Sequence, residues 1–170
     1  PLDQINVENV KDLEIAWSFS TKGFGYPTDY VNPSTPIEVD GMLYANVGNT
    51  RNVVALDATT GQVLWLWRYQ EGNRFDEAPR KGSGRGVSFW TDGDIERVID
   101  VSPGYQLVSL DAKTGIPDPG FGDNGIVDLF VGVRNGEDPR YQYPDVGLSA
   151  PPLVMNDVIV VGAAHRGGGR

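Results

Sequence analysis

Cysteine is absent from all 170 residues, which excludes a disulfide frame, a thiolate zinc site and a cysteine nucleophile. The redox compartment stays open, because a secreted protein can also do without the residue. Histidine occurs once, at His165, so a serine–histidine–aspartate arrangement has little scope. Basic residues are outnumbered, 14 against 23 acidic ones, and a net charge of −9 offers no footprint for nucleic acid or anionic lipid. No apolar run approaches the ~18 residues of a membrane span. Glycine (22) and proline (12) fill a fifth of the chain and leave no room for long helices. An initiator Met and a signal peptide are both lacking, so the chain reads as a mature or excised segment. What remains, 39% hydrophobic and 22% charged, suits one soluble globular domain or a piece of a larger one.

The apolar stretches are short, rich in β-branched and aromatic residues, and separated by turn chemistry. Strands are predicted at Leu13–Phe19, Pro36–Val39, Met42–Val47, Asn52–Asp57 and Gln62–Tyr69. Asp40-Gly41 between two alternating runs is a strong hairpin signal. The order then recurs as Val87–Trp90, an Asp92-Gly93 turn, Arg97–Val101 and Gln106–Asp111. A third copy opens at Pro152–Met155, turns at Asn156-Asp157 and continues as Val158–Ala163, after an inserted loop at Phe130–Gly147. Gly41 and Gly93 lie 52 residues apart, and Leu56 and Leu110 lie 54 apart. A four-stranded unit recurring at roughly 40–50 residues marks a β-propeller blade. Only Gln4–Val10 reads as helical, with Asn6 as its cap.

The predicted fold class is therefore all-β, a partial β-propeller over 1–170 built of four-stranded antiparallel meanders. Residues 1–35 form a leading segment and strand, 36–69 the first blade unit, 86–129 the second, and 149–170 the start of a third. Propellers close with 4–8 blades, so such a chain is expected to be a fragment or to assemble with other copies.

The strongest local signal is Ala55-x-Asp57-x-x-Thr60-Gly61-x-x-x-Trp65. Asp57 and Thr60 suit a tight turn, Gly61 supplies positive φ, and Trp65 can lie flat over a neighbouring sheet. Asp57 is read as a turn acceptor rather than an acid catalyst. The second copy keeps Asp111, Thr114 and Gly115 but has Pro119 at the tryptophan position. This pattern resembles the tryptophan-docking motif of quinoprotein dehydrogenases, whose eight-bladed propeller holds pyrroloquinoline quinone (PQQ). Gln4-Ile5-Asn6-x-x-Asn9-Val10-x-x-Leu13-x-x-Ala16-Trp17 and Thr35-Pro36-Ile37-x-Val39-x-Gly41-x-Leu43-Tyr44 are similar to that propeller's opening and first hairpin. Arg85-Gly86-Val87-Ser88-Phe89-Trp90 and Ser149-Ala150-Pro151-Pro152 extend the likeness. Pro117-x-Pro119-x-Phe121-Gly122-x-Asn124-Gly125-x-Val127-Asp128-Leu129 resembles the glucose-dehydrogenase-like branch.

The resemblance implies three cofactor-binding residues. Arg85 matches the family arginine that pairs with a PQQ carboxylate, a role that suits a planar, permanently charged fork. It sits in Gly82-Ser83-Gly84-Arg85-Gly86, where missing side chains would let a ligand approach the backbone. The bland alternative is a solvated arginine in a flexible loop. Ser149 matches a family hydroxyl that bonds the cofactor; otherwise it is a polar residue before a strand. Lys81 lies near a further quinone contact of the glucose-dehydrogenase branch. Departures are equally plain. Alcohol-oxidising relatives place a cysteine pair where Pro79 and Arg80 stand, and a glutamate where Pro33 stands. Their calcium-binding glutamate would fall within Ala163-Ala164-His165-Arg166, so no metal ligand or catalytic residue is named in this chain.

His165 is read as a loop residue. Gly82–Gly86 lacks the Lys-Ser/Thr ending of a phosphate-binding loop. Asp118, Asp123 and Asp128 lack EF-hand spacing, and Glu71, Asp76 and Glu77 are read as a solvated charged loop. By resemblance the chain is the N-terminal part of a PQQ-dependent dehydrogenase of periplasmic or extracytoplasmic origin. It would oxidise an alcohol or sugar hydroxyl by hydride transfer to the quinone, with a calcium ion held mostly by residues elsewhere. Electrons would pass to a cytochrome or ubiquinone. The alternative is a non-enzymatic propeller scaffold or protein-interaction module, which would use its open sheet edges or form homo-oligomers.

Overall fold

The computed structural model describes residues 4–29, 31–131 and 146–165. Two four-stranded antiparallel meanders dominate it. The first runs β1 (Ile37–Val39), β2 (Met42–Val47), β3 (Asn52–Asp57) and β4 (Val63–Trp67) in spatial order. The second repeats that order with β5 (Ser88–Thr91), β6 (Glu96–Val101), β7 (Gln106–Asp111) and β8 (Ile126–Asp128). A two-stranded hairpin follows, β10 (Leu153–Met155) with β11 (Val158–Val160), and β9 (Val146–Gly147) pairs with β12 (Ala164–His165). A short helix, α1 (Asn73–Glu77), links the two meanders. The predicted blade order is thus present.

The turns explain the register. Asp40 and Gly41 both have positive φ (48° and 81°), as a two-residue hairpin turn matching strand twist requires, and they align Val39 with Met42. Asp57 Oδ1 accepts from the Thr59 and Thr60 amides (3.0 and 2.7 Å) and from Thr60 Oγ1 (2.8 Å). Asp111 repeats this with Thr114. The Asp57 carboxyl, held by the Thr60 hydroxyl and the adjacent amides, sits below its usual range. A carboxylate committed to three donors is a turn device, not an acid catalyst.

The main core lies between the meanders, where Tyr44, Val53, Ala55 and Trp65 meet Val98, Val108, Leu110 and Ala112. Trp65 Nε1 donates to Ala112 O at 2.9 Å, and its ring covers Gly115, where a Cβ would stand 2.5 Å from Cε3. Trp17 does the same one step earlier: Nε1 donates to Ala58 O at 3.0 Å and the ring covers Gly61. Trp90 carries the pattern onward to Asn156 O at 3.0 Å.

Three expectations are corrected. Leu13–Phe19 forms no strand, because among the described residues no strand lies beside it; Ile15 is left 89% exposed. The Gln4–Val10 helix is replaced by a single 3-10 turn at Val10–Asp12, but Asn6 does act as a cap: its Oδ1 accepts from the Glu8 and Asn9 amides (2.9 and 3.2 Å). His165 belongs to β12, where its backbone pairs with Val146. The loop at Phe130–Gly147 lies largely outside the described residues, as does the tail from Arg166. No helix among the described residues is long and apolar enough to cross a membrane.

Candidate functional site

The segment between α1 and β5 carries the sequence-nominated arginine, and main-chain bonds tie it to three neighbours. Arg85 N donates to Ser149 O (2.8 Å), Arg85 O accepts from Thr35 N (2.9 Å), and Gly82 N donates to Asn49 O (3.0 Å). Ser83 N donates to Asp29 Oδ2 at 3.1 Å. These links enclose a cleft of about 310 Å³ lined by Asp29, Pro33, Lys81, Ser83, Arg85 and Ser149 among others. Its size falls within the range of small-molecule sites, roughly 300–1,000 Å³. All three nominated residues therefore share one wall system. The Arg85 side chain is exposed and has no ion pair or hydrogen bond among the described residues. The Lys81 ammonium instead donates to Asp76 O (2.7 Å) and lies 5.1 Å from the centroid of Phe75, so its charge is anchored at α1 on the cleft's rim.

The glycines around Arg85 do something other than expected. Gly82 does face open space, but a Cβ at Gly84 would stand 2.8 Å from Arg51 Nε, and one at Gly86 2.7 Å from Thr35 O. Two of the three missing side chains make room for the protein's own groups rather than for a ligand.

Arg51, which sequence reasoning passed over, is the centre of this arrangement. It is 3% exposed and has φ of 53°, unusual for a non-glycine residue. Nη1 donates to Val101 O (2.8 Å) and Leu148 O (2.5 Å), Nη2 to Arg80 O (2.8 Å), and Nε to Gly82 O (3.3 Å). Burial pushes its pKa down, while the Asp100 and Glu71 carboxylates oppose that shift. Asp100 is itself buried, accepting from Asn46 Nδ2 at 3.0 Å, and burial pushes its pKa up to about 7. Glu71 is also raised by burial, although it accepts from Ser102 Oγ (2.6 Å) and Gly104 N (3.0 Å). The solvated-loop reading therefore fails for Glu71. In the sequence Arg51 closes a polar turn, and only its position one residue before β3 hinted at burial.

Two further aspartates, Asp118 and Asp128, have structural partners. Asp128 receives a two-pronged contact from Arg74 (2.6 Å each), and Asp118 accepts from Arg97 Nε at 2.7 Å. No group of three or more metal-ligating side chains occurs among the described residues. A second cleft of about 340 Å³ lies beside Phe24, Arg68 and Glu71, but Glu71 already serves Ser102 and Gly104.

The family described as "PQQ: Glucose/ethanol/alcohol dehydrogenase, beta-propeller domain" matches residues 1–169. The chain belongs to the PQQ-dependent dehydrogenase family. A quinoprotein glucose dehydrogenase of Gluconobacter oxydans is 32% identical to it over 96% of this chain and 22% of its own length. The dehydrogenase subunit of a quinone alcohol dehydrogenase from the same organism is 36% identical over 68% of this chain and 14% of its own. The crystal structure of a quinohemoprotein alcohol dehydrogenase from Comamonas testosteroni superposes with a TM-score of 0.69 and 26% identity, over 96% of this chain and 21% of that one. The chain thus spans between about a seventh and about a fifth of the length of these relatives. The donor set of the cleft fits a polyanionic quinone: an unpaired guanidinium, a nearby ammonium, and a buried Ser83 hydroxyl with no hydrogen-bond partner.

Proposed function

We propose that this chain forms part of the cofactor-holding propeller of a PQQ-dependent dehydrogenase that oxidises an alcohol or sugar hydroxyl. The observation that carries the reading is the convergence of Arg85, Ser149 and Lys81 on one cleft, with the Arg85 amide bonded to Ser149 O at 2.8 Å. Arg85 would bind a quinone carboxylate through its forked N–H groups, and Ser149 would hydrogen-bond the cofactor. Lys81 would add positive charge at the rim. When bound, PQQ supplies the two-electron acceptor for the substrate hydride. The role of this chain is to orient and shield that group.

The general base and any calcium ligands are assigned outside the described residues, and no step is derived through a metal. By family likeness the full protein would work in the periplasm or another extracytoplasmic space and pass electrons to a cytochrome or ubiquinone. The division into a leading segment and successive blade units is part of the same proposal.

The test is Arg85→Ala in the full-length protein, titrated with PQQ. Because the side chain is exposed and unpaired, stability should change by less than ~0.5 kcal/mol. Loss of a charge-assisted contact should weaken PQQ binding by roughly tenfold or more. Unchanged affinity would support the scaffold alternative instead.

A further inference from the structure

Arg51 is not among the residues lining the cleft, yet it bonds to two of the three strips of chain that form it. Its guanidinium bonds Gly82 O and Arg80 O on the strip carrying Arg85, and Leu148 O immediately before Ser149. The fourth bond, to Val101 O, anchors it at the end of β6. We propose that Arg51 is the positioning residue of the quinone site: it sets the spacing of the Arg85 and Ser149 walls without touching the cofactor. The inference rests on the cleft reading given above.

Three observations support it. The four acceptors are backbone carbonyls from three stretches of chain, and a planar fork with five donors can satisfy them together where a lysine ammonium cannot. Gly84 leaves the space through which the guanidinium passes, since a Cβ there would stand 2.8 Å from Nε. Finally, Arg51 holds a left-handed backbone conformation that persists only where surrounding contacts over-determine it. The direct link from Arg85 N to Ser149 O is a single bond, and the guanidinium adds cross-ties from Arg80 O and Gly82 O to Leu148 O. A cleft held at the right width before the ligand arrives loses less freedom on binding.

The test uses the full-length apo protein titrated with PQQ, in wild type, Arg51→Lys, Arg85→Ala and the double variant. Arg51→Lys should weaken binding about tenfold, and the double variant should bind within about twofold of Arg85→Ala, because misaligned walls no longer present Arg85 correctly. Amide exchange without PQQ gives a second readout. The Arg85 amide should exchange at least about tenfold faster in Arg51→Lys, while amides central to β3 and β7 keep their rates. If Arg51→Lys folds poorly, Arg51→Ala with millimolar ethylguanidinium replaces it, and restored PQQ affinity supports the role. Wild-type affinity in Arg51→Lys beside a weakened Arg85→Ala would overturn this inference alone. Independent effects in the double variant, or no rescue by ethylguanidinium, would overturn it equally. Wild-type binding by Arg85→Ala would overturn the cleft reading and the quinone role of Arg51 with it.

Discussion

Replacing Asp100 by asparagine should reshape the pH dependence of stability. Asp100 is 2% exposed, and burial lifts its pKa from 3.8 to about 7 against the attraction of Arg51. Between those values the folded chain keeps a proton that the unfolded chain releases. Unfolding free energy therefore falls as pH rises from about 4 to 7 and levels off above, where both states are ionised. The gap between 3.8 and about 7 corresponds to at most about 4 kcal/mol. Glu71, also raised by burial, acts in the same direction. The depressed carboxyls, Asp57, Asp92, Asp118 and Asp128, have the opposite sign, and their contribution is lost only below the unfolded carboxyl range. Asp100→Asn removes the titration and brings an N–H for Asn46 Oδ1, which is buried without a partner. At pH 8 the variant should exceed wild type by roughly 2–4 kcal/mol, and at pH 5 the two should agree within about 1 kcal/mol. Urea unfolding followed by tryptophan fluorescence at pH 5, 6, 7 and 8 measures both curves. A variant that keeps the wild-type slope, or a wild type that gains stability from pH 5 to 8, would refute the assignment of a buried neutral carboxyl.

Further outcomes follow from the same contacts. Gly115→Ala combines φ of 70° with a Cβ 2.5 Å from the Trp65 ring, and should lower stability by roughly 2–4 kcal/mol in thermal unfolding. Gly41→Ala, with positive φ but open space, should lose only about 1 kcal/mol; equal losses would show that ring contact is not the cause. Arg74→Met removes both the Nε bond to Gly104 O and the fork to Asp128; the ion pair, with side chains 19% and 35% exposed, should account for about 1 kcal/mol of the loss after screening, a share that shrinks with added salt. A double-mutant cycle with Asp128→Asn that returns no coupling would contradict it.

How much could be read in advance depends on where each residue's partners lie in the chain. β2, β3 and β7 fall where β-branched runs and Asp-Gly or Asp-x-x-Thr-Gly turns place them, since those signals are local. Leu13–Phe19 has strand-like residues but no neighbouring strand among those described, and strand formation is a property of pairs. The helix at Asn73–Glu77 lacks an apolar stripe; it is held through Arg74 to Gly104 O and Asp128, contacts 30 and 54 residues distant. Arg85 and Ser149 are nominated through family likeness alone, and the structure adds that their backbones are bonded to each other. Arg51 was not legible. A buried cation satisfied by four carbonyls leaves no mark in the sequence beyond an arginine at a turn.

Ala112 O accepts from both Trp65 Nε1 and Tyr44 Oη, at 2.9 and 3.2 Å. One carbonyl oxygen of the second meander thus satisfies two donors that belong to the first. Any excision between β4 and β5 would strand a tryptophan and a tyrosine at once, each with a large ring and a polar tip facing water. The two meanders are consequently bound into one packing unit, and proteolysis of a partly opened molecule should release both or neither.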